Sequence, residues 1–384
     1  MYKIINQKFS INFEYDIIFS NNIFNINNKI LINIIEKSEK QKKKIIVFID
    51  KNVLKTHTNL NSKIIKYFTH FNKYVILVCD PISITGGEKV KNHYSIVKIF
   101  YKLIEKYKIC RQSYIISIGG GTIQDLMGYV SSTAHRGIKN IRIPTTVLSQ
   151  DDSGVGVKNG INYLKKKNFI GCFSVPYAVL NDYSFLTSLS TEQIMEGLSE
   201  AIKVALIKDI NLFYFIEKHV TEILSRNLFY IEKIIYKCAK LHADHISKNG
   251  DPFETLSSRP LDFGHWSAHK IESLSYYQIS HGKSVAIGLS LDCTYSYLLG
   301  FMKKNTWKSI IKLFLNLNLN IYSKELSNPK IFNGLEEFRE HLGGSLTISF
   351  IKDIGSKIEM HHVNKKIYIK AITLLYNIHN LYNK

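Results

Sequence analysis

Disulfides, membrane spans and a dinucleotide fingerprint are all missing from this sequence, and each absence closes off a class of explanation. The five cysteines among 384 residues (Cys79, Cys110, Cys172, Cys238 and Cys293) are odd in number, far apart and never arranged as C-x-x-C. No disulfide framework is therefore expected, and a reducing compartment with thiols acting as small buried side chains is. No apolar run approaches the roughly 18 to 20 residues that span a bilayer. The N-terminal MYKIINQKFSINFEYDIIF breaks its apolar residues with polar ones and lacks the basic-then-apolar order of a secretory signal. The expectation is a soluble intracellular protein with no membrane partner, in the cytoplasm or, for an organelle-encoded chain, the plastid stroma. The strict G-x-G-x-x-G pattern is absent too, because Gln124 stands where the third glycine after Gly119 and Gly121 would fall.

Acidic residues are few, 31 against 51 Lys and Arg, giving a formal net charge of +20. Such a charge invites a nucleic-acid partner. The lysines, however, are strewn among Asn and Ile, as in NNKILINIIEKSEKQKKK from Asn27 to Lys44, which reads as compositional bias rather than a basic face. No nucleic-acid motif accompanies them, and no nucleic-acid partner is expected.

What is present is patterned for an α/β fold. With 45% hydrophobic residues the chain can bury one large or two medium cores, and two domains are expected, residues 1–180 and 181–384. Ile45–Ile49 reads as a buried strand ended by Asp50, Tyr74–Cys79 as a second, and Glu88–Lys106 as a helix with Ile96, Val97, Phe100, Leu103 and Ile104 at helical spacing. Strands alternating with helices predict a mainly parallel, Rossmann-like sheet with ligands beyond the strands' C-terminal ends.

The densest stretch is Ser117–Gly171, SIGGGTIQDLMGYVSSTAHRGIKNIRIPTTVLSQDDSGVGVKNGINYLKKKNFIG. A strand over Tyr114–Ile118 runs into Gly119-Gly120-Gly121 and then a helix from Thr122 to Ser132, with Thr122 as its N-cap. Strand, glycine turn and helix start aim free N–H groups at one spot, which suits a phosphate, although a bare glycine run also makes an ordinary tight turn. A second strand, Ile141–Ile143, ends in Pro144-Thr145-Thr146 with two hydroxyls at a turn. Asp50, Gly119–Gly121 and Thr145-Thr146 thus converge on one sheet edge. Asp151 and Asp152 follow, then Lys158 beside glycines, where an ammonium can approach an anion as a point charge. Lys165 and Lys166 read as a solvated loop.

From about Asn181 the pattern becomes helix after helix. Ser190-Thr191-Glu192-Gln193 is a helix start, and Thr191–Ile207 keeps apolar residues at helical spacing. Glu200 and Lys203 share a face of that helix, either as a solvated salt bridge or as part of a site. Further on, Gly264-His265-Trp266-Ser267-Ala268-His269 sets two histidines one helical turn apart, and His281 is the next along. Histidines plus a carboxylate with one position open are how a catalytic Zn²⁺ site is built, though a chance H-x-x-x-H is common enough.

Together the Gly119–Gly171 segment, the Glu200/Lys203 helix and the G-H-x-x-x-H plus H-G pair resemble the 3-dehydroquinate synthase family, the NAD- and Zn-dependent sugar phosphate cyclases, across roughly residues 85–300. The resemblance implies an NAD-binding α/β domain, a mostly helical metal-binding domain and a homodimer with the site between the domains. It assigns Glu200, His265 and His281 to Zn²⁺ (or Co²⁺), and Asp50, Glu88, Lys91, Gly120, Gly121, Asp125, Thr145 and Thr146 to NAD. Asp152, Lys158, Lys167, Asn168, Lys203, Asp262 and His269 fall on substrate-cleft positions, and Arg136 on an arginine that reaches the substrate phosphate from the partner subunit. The implied reaction oxidises a hydroxyl of a phosphorylated sugar transiently, eliminates phosphate and closes a carbocycle, consuming no cofactor.

The departures bear on the substrate. Leu261-Asp262 replaces the family's Leu-Asn before Gly-His. Ser258-Arg259-Pro260 displaces a substrate-binding arginine, His242 stands for a lysine, and Phe338-Arg339-Glu340-His341 is the nearest match to a late Asp-Lys-Lys. A new carboxylate and lost cations disfavour a carboxylate-bearing substrate. An aspartate there is similar to the cyclases that convert sedoheptulose 7-phosphate into valiolone-type cyclitols. A metal-dependent polyol dehydrogenase is the rival class, against which the cations Lys158, Lys167 and Arg136 argue. Residues 307–384 carry no assigned role.

Overall fold

The computed structural model describes residues 2–36, 41–164, 166–248, 252–253 and 259–382. Seven strands make the main sheet: β1 (Asp16–Ser20), β2 (Lys43–Asp50), β3 (Val75–Leu77), β4 (Ile82–Ile84), β5 (Tyr114–Gly119), β6 (Lys139–Pro144) and β9 (Ala178–Asp182). Two antiparallel hairpins stand apart from it, β7 (Lys158–Tyr163) with β8 (Lys166–Phe173) and β10 (Ile348–Asp353) with β11 (Ser356–Met360).

The main sheet is parallel, in the order β1-β9-β6-β5-β2-β3, and β4 pairs with the second half of β2. Its central strands are apolar without alternation because both faces are covered. Ile45, Val47 and Ile49 enter one apolar cluster with Ile116 and Ile118, while Ile46 and Phe48 enter another with Ile115. Helices α1 (Ile30–Glu36), α2 (Lys51–Thr56), α3 (Leu60–His70), α4 (Tyr94–Lys106) and α5 (Gly121–Thr133) belong to this half. The chain runs outward from β2 to β3 and β4, then returns to β5 on the other side of β2. The carboxyl ends of β2 and β5, Asp50 and Gly119, therefore flank the point where strand order reverses, the place where such sheets bind ligands.

The second half is helical: α6 (Thr191–Lys208), α7 (Ile210–Lys218), α8 (Val220–Leu224), α9 (Leu228–Lys248), α10 (His265–Leu274), α11 (His281–Leu298), α12 (Lys304–Asn316), α13 (Asn333–His341) and α14 (Lys365–Tyr382). The Ser190/Gln193 capping box expected from the sequence starts α6. Helices α6 and α11 are buried nearly all round, as central helices of a large core are. No helix among the described residues is long and apolar enough to cross a membrane.

Several boundaries differ from the sequence reading. The Tyr74–Cys79 strand shrinks to Val75–Leu77, and the Glu88–Lys106 helix splits into a 3₁₀ turn, Glu88–Asn92, and α4. The N-cap of α5 is Gly120 rather than Thr122, whose hydroxyl donates instead to Glu88 at 3.2 Å. Local pattern is blind to such a distant acceptor. Of the cysteines, Cys238 and Cys293 are buried as expected, whereas Cys110 is exposed. Residues 307–384, unassigned from sequence, supply α14 and the β10–β11 hairpin to the helical core.

Candidate active site

Three helices bring the metal-type residues together, and backbone contact sets how closely they approach. Gly264 caps α10 in the left-handed region (φ +77), and a Cβ at Gly288 of α11 would land on its carbonyl oxygen. A Cβ at Gly282 would likewise land on the Glu196 carbonyl of α6. With the helices that close, Glu200 Oε1 lies 3.3 Å from His265 Nε2 and 3.4 Å from His281 Nε2. His265, His269 and His281 offer ligand atoms all within 4.8 Å of one another, graded from buried His265 through half-buried His281 to exposed His269.

Glu200 is fully buried, with the Lys203 ammonium on its Oε2 and the two histidines facing its Oε1. Its carboxyl nonetheless stays well below the usual carboxylate range, because the adjacent Lys203 ammonium and His265 outweigh the cost of burial. Lys203 is itself buried and held above its ordinary value against burial by Glu200 and Asp152. The solvated salt-bridge alternative for this pair is thereby overturned.

Both imidazoles are oriented by their other nitrogen. His265 Nδ1 lies 3.0 Å from the Phe263 carbonyl, which can only accept, so Nδ1 carries a proton and Nε2 is the ring atom turned toward Glu200. His281 Nδ1 lies 2.9 Å from Glu272 Oε2. Although His269 is open to solvent, the surrounding protein and Lys167 hold it well below the ordinary histidine value, hence neutral. The carboxylate contacts single out His265 and His281, with His269 beside them.

The cleft residues arrive on the segment after β6. Arg142 of β6 is fully buried and donates to the Gly154 carbonyl at 3.0 Å, the Gly156 carbonyl at 2.6 Å and Asn159 Oδ1 at 2.6 Å. It pins the π-helical turn Ser149–Ser153 and the start of β7, and so places Asp152 and Lys158. Asp152 lies 3.0 Å from His242 Nδ1 of α9, and Lys203 with His242 lowers its carboxyl despite burial. Its neighbour Asp151 is raised well above the carboxylate range by burial and by Asp152 and Glu200, and its oxygens find no hydrogen-bond partner among the described residues. Asp262 sits half-buried in the field of Lys158, His265, Arg259 and Lys203, which together lower its carboxyl although burial opposes them. Arg259, displaced in sequence, thus still acts near the cleft.

The nucleotide-type residues gather at the sheet edge. Asp50 caps α2 by accepting from Asn52 N at 2.8 Å, and a Cβ on Gly86 would strike its carboxylate. Gly120 and Gly121 begin α5 with no side-chain cap, leaving the helix start available to an anion. Thr145 is buried and donates its N–H to the Gly119 carbonyl at 3.1 Å, and Thr146 Oγ1 lies 2.8 Å from Ser149 Oγ. Glu88, Lys91 and Asp125 form a knot: buried Lys91 lies 3.2 Å from Glu88 and 2.8 Å from Asp125, and also donates to Asn168 of β8. Next to Asn168, Lys167 crosses to Glu272 of α10 at 2.8 and 3.0 Å.

Arg136 is the one predicted site residue that a single chain does not bring to the cleft. It is exposed, at φ +60, just past the far end of α5. Thirteen helical residues, on the order of 20 Å, separate that end from the glycine turn. Lys166 is exposed, as expected, and pairs with Glu340 at 3.0 Å, but it opens strand β8 rather than lying in a loop. Lys165, Ser258 and the side chain of His341 lie outside the described residues. Sequence reasoning passed over Glu272 and Arg142. Glu272 could have been found seven residues after His265, on the face shared with His269, but Arg142 reads as one more residue in an apolar strand.

The sequence matches the family descriptions "3-dehydroquinate synthase N-terminal" over residues 81–196 and "3-dehydroquinate synthase C-terminal" over residues 197–338. It is 32% identical over 293 residues to the 3-dehydroquinate synthase of Buchnera aphidicola subsp. Baizongia pistaciae, covering 76% of this chain and 82% of that protein. The chain belongs to the 3-dehydroquinate synthase family. Among solved structures, a 2-epi-5-epi-valiolone synthase from Streptomyces hygroscopicus subsp. jinggangensis with NAD+ and Zn2+ bound superimposes with TM-score 0.88 at 21% identity, covering 97% of this chain and 99% of that one. A 2-deoxy-scyllo-inosose synthase complexed with carbaglucose-6-phosphate, NAD+ and Co2+ gives TM-score 0.74 at 20% identity, covering 93% and 96%. Both structures share the fold of this family member.

Proposed function

We propose that this protein is an NAD- and divalent-metal-dependent sugar phosphate cyclase, and that its two halves meet as domains near residue 180. The observation that carries this reading is the buried Glu200 carboxylate, paired with Lys203 through Oε2 and faced at Oε1 by the Nε2 atoms of His265 and His281. That donor set fits Zn²⁺ or Co²⁺ with a position left for substrate. Asp50, Glu88, Lys91, Gly120, Gly121, Asp125, Thr145 and Thr146 would hold NAD at the sheet edge. When bound, NAD supplies transient oxidation of a substrate hydroxyl and the metal polarises that oxygen.

The chain's own residues account for the rest. Lys203 neutralises charge building on the oxidised carbon's oxygen, and Asp152, steadied by His242, accepts that hydroxyl's hydrogen bond. Lys158, Lys167, Asn168 and His269 hold the phosphate until it leaves. Arg136 of a second copy completes that grip in a homodimer, which gives its exposed place at the far end of α5 a purpose.

Asp262 favours a second reading about the substrate. A carboxylate among Lys158, Arg259 and Lys203 uses up positive charge that a substrate carboxylate would need and offers an acceptor to hydroxyls. Sedoheptulose 7-phosphate fits better than 3-deoxy-D-arabino-heptulosonate 7-phosphate. Phosphate release from both, with NAD and Co²⁺ present and absorbance followed for NADH, tests this. Release from sedoheptulose 7-phosphate without net NADH is the expected result. Preferential release from the heptulosonate would make Asp262 a tolerated variation in a dehydroquinate synthase, and net NADH from unphosphorylated polyols would make the protein a dehydrogenase.

A further inference from the structure

Glu272 belongs to none of the ligand, nucleotide or substrate sets above, yet it touches two of them. It is 3% exposed on α10. One of its oxygens lies 2.9 Å from His281 Nδ1, and both take the Lys167 ammonium, at 2.8 and 3.0 Å. We propose that Glu272 is a positioning residue that sets metal affinity by orienting His281 and ties that orientation to the seating of the β7–β8 hairpin. The proposal rests on the metal reading given above.

The argument begins with the tautomer. Lys167 lies beside His281 Nδ1 as well, but at 3.5 Å, longer than the Glu272 contact. Both Glu272 oxygens take the Lys167 ammonium, at 2.8 and 3.0 Å, so the carboxyl group meets Nδ1 as an acceptor. A carboxylate accepts, so Nδ1 of His281 bears a proton toward Glu272, and Nε2, the atom beside Glu200, is the nitrogen left for a metal to take. Without an acceptor at Nδ1 the ring is free to turn and to exchange tautomers. Removing such an outer carboxylate costs a metal site about 10- to 100-fold in affinity. His265 gets the same service from the Phe263 carbonyl, which no side-chain substitution removes.

The second bond gives Glu272 a reach that a backbone carbonyl lacks. Lys167 sits on β8 beside Asn168, which Lys91 holds, and β7 is fastened through Asn162, which donates to Glu88 at 3.0 Å and to Asn92 at 2.9 Å. The hairpin is thus tied to the nucleotide-type residues on one side and to the His281 orienter on the other. A bare structural ion pair would need only Lys167.

Four forms of the chain, stripped of metal by a chelator, distinguish these roles: wild type, E272Q, K167M and the double variant K167M/E272M. The double variant removes the buried ion pair as a unit, a change that spares folding. Each is titrated with Co²⁺ alone, followed by its visible absorption band, and each metal-free form is melted. The proposal expects wild type to bind Co²⁺ and E272Q and the double variant to bind it about 10- to 100-fold more weakly. K167M alone, which keeps the Glu272–His281 bond, should lose less than E272Q. Wild-type Co²⁺ affinity in E272Q or in the double variant, with only the metal-free melting temperature lowered, would overturn the positioning role and leave the metal reading standing. No Co²⁺ binding by wild type would sink both.

Discussion

Lys203 is the residue on which the electrostatics of the cleft turn. It is a buried cation between two carboxylates, Glu200 and Asp152, and both are kept ionised largely by its charge. Replacing it by methionine leaves the shape and removes the charge, so the two acids lose the attraction that offsets their burial. K203M is expected to lower turnover about 100- to 1000-fold, the cost of deleting one preorganised electrostatic group. NAD binding, measured separately by fluorescence, should stay near wild type. Parallel losses in both would mean that Lys203 supports the fold rather than the reaction. Asp262 acts at the same scale through specificity: D262N should shift the ratio of kcat/KM between the two seven-carbon substrates toward the heptulosonate, and an unchanged ratio would remove Asp262 from substrate choice.

At the level of elements, the metal-type cluster depends on how near three helices come. Glu200, His265 and His281 sit on α6, α10 and α11, and the approach of α10 to α11 is set by Gly288 against the Gly264 carbonyl, with nothing flexible between. G288A forces that contact apart. Overpacking of this kind costs about 1–3 kcal/mol, and here the strain falls on the turn that starts the His265 helix. The expected outcome is a folded protein with a lower denaturation midpoint and weakened Co²⁺ binding. Full metal affinity in a well-folded G288A would show that the helices can separate without disturbing the cluster. Arg142 works at this scale too, since one buried guanidinium shapes the turn that carries Asp152 and Lys158. Burial pushes it down only to about 10, so it remains charged.

Across the whole molecule, Asp292 ties α11 to α10 and α14. It accepts from Trp266 Nε1 at 3.1 Å and from the Tyr368 hydroxyl at 2.9 Å. Burial raises its carboxyl to about 7, with those two donors and the Gly264 backbone opposing. An acid whose folded pKa lies above its unfolded one stabilises fully below about pH 4, and that stability is lost as pH rises to the folded value. The side-chain amide of D292N cannot ionise. The stability of D292N relative to wild type is therefore expected to improve between about pH 4 and pH 7 and to level off above, as read from urea unfolding at a series of pH values. A difference that stays flat across that window would show that Asp292 is ionised throughout.

Much of this was legible in the chain. Buried strands followed by glycine or Pro-Thr turns mark a parallel sheet's ligand edge because those residue types are forced by backbone geometry, and the strands ending in Asp50, Gly119 and Pro144 lie where expected. His265 and His269 one turn apart, with His281 the next along, suggested a metal, and only the family resemblance added Glu200 to the set. Local sequence could not decide what depends on partners far along the chain. Whether Glu200 and Lys203 face water or each other in a dry core is settled by α10 and α11 packing over α6. Thr122 serves Glu88 rather than its own helix because the turn at Glu88 folds against α5. Glu272 matters only because a lysine 105 residues earlier and a histidine nine residues later meet on it. Periodicity and turn chemistry act over a few residues, so they specify elements; the charge state and orientation of a buried side chain come from neighbours that only the packed core brings together.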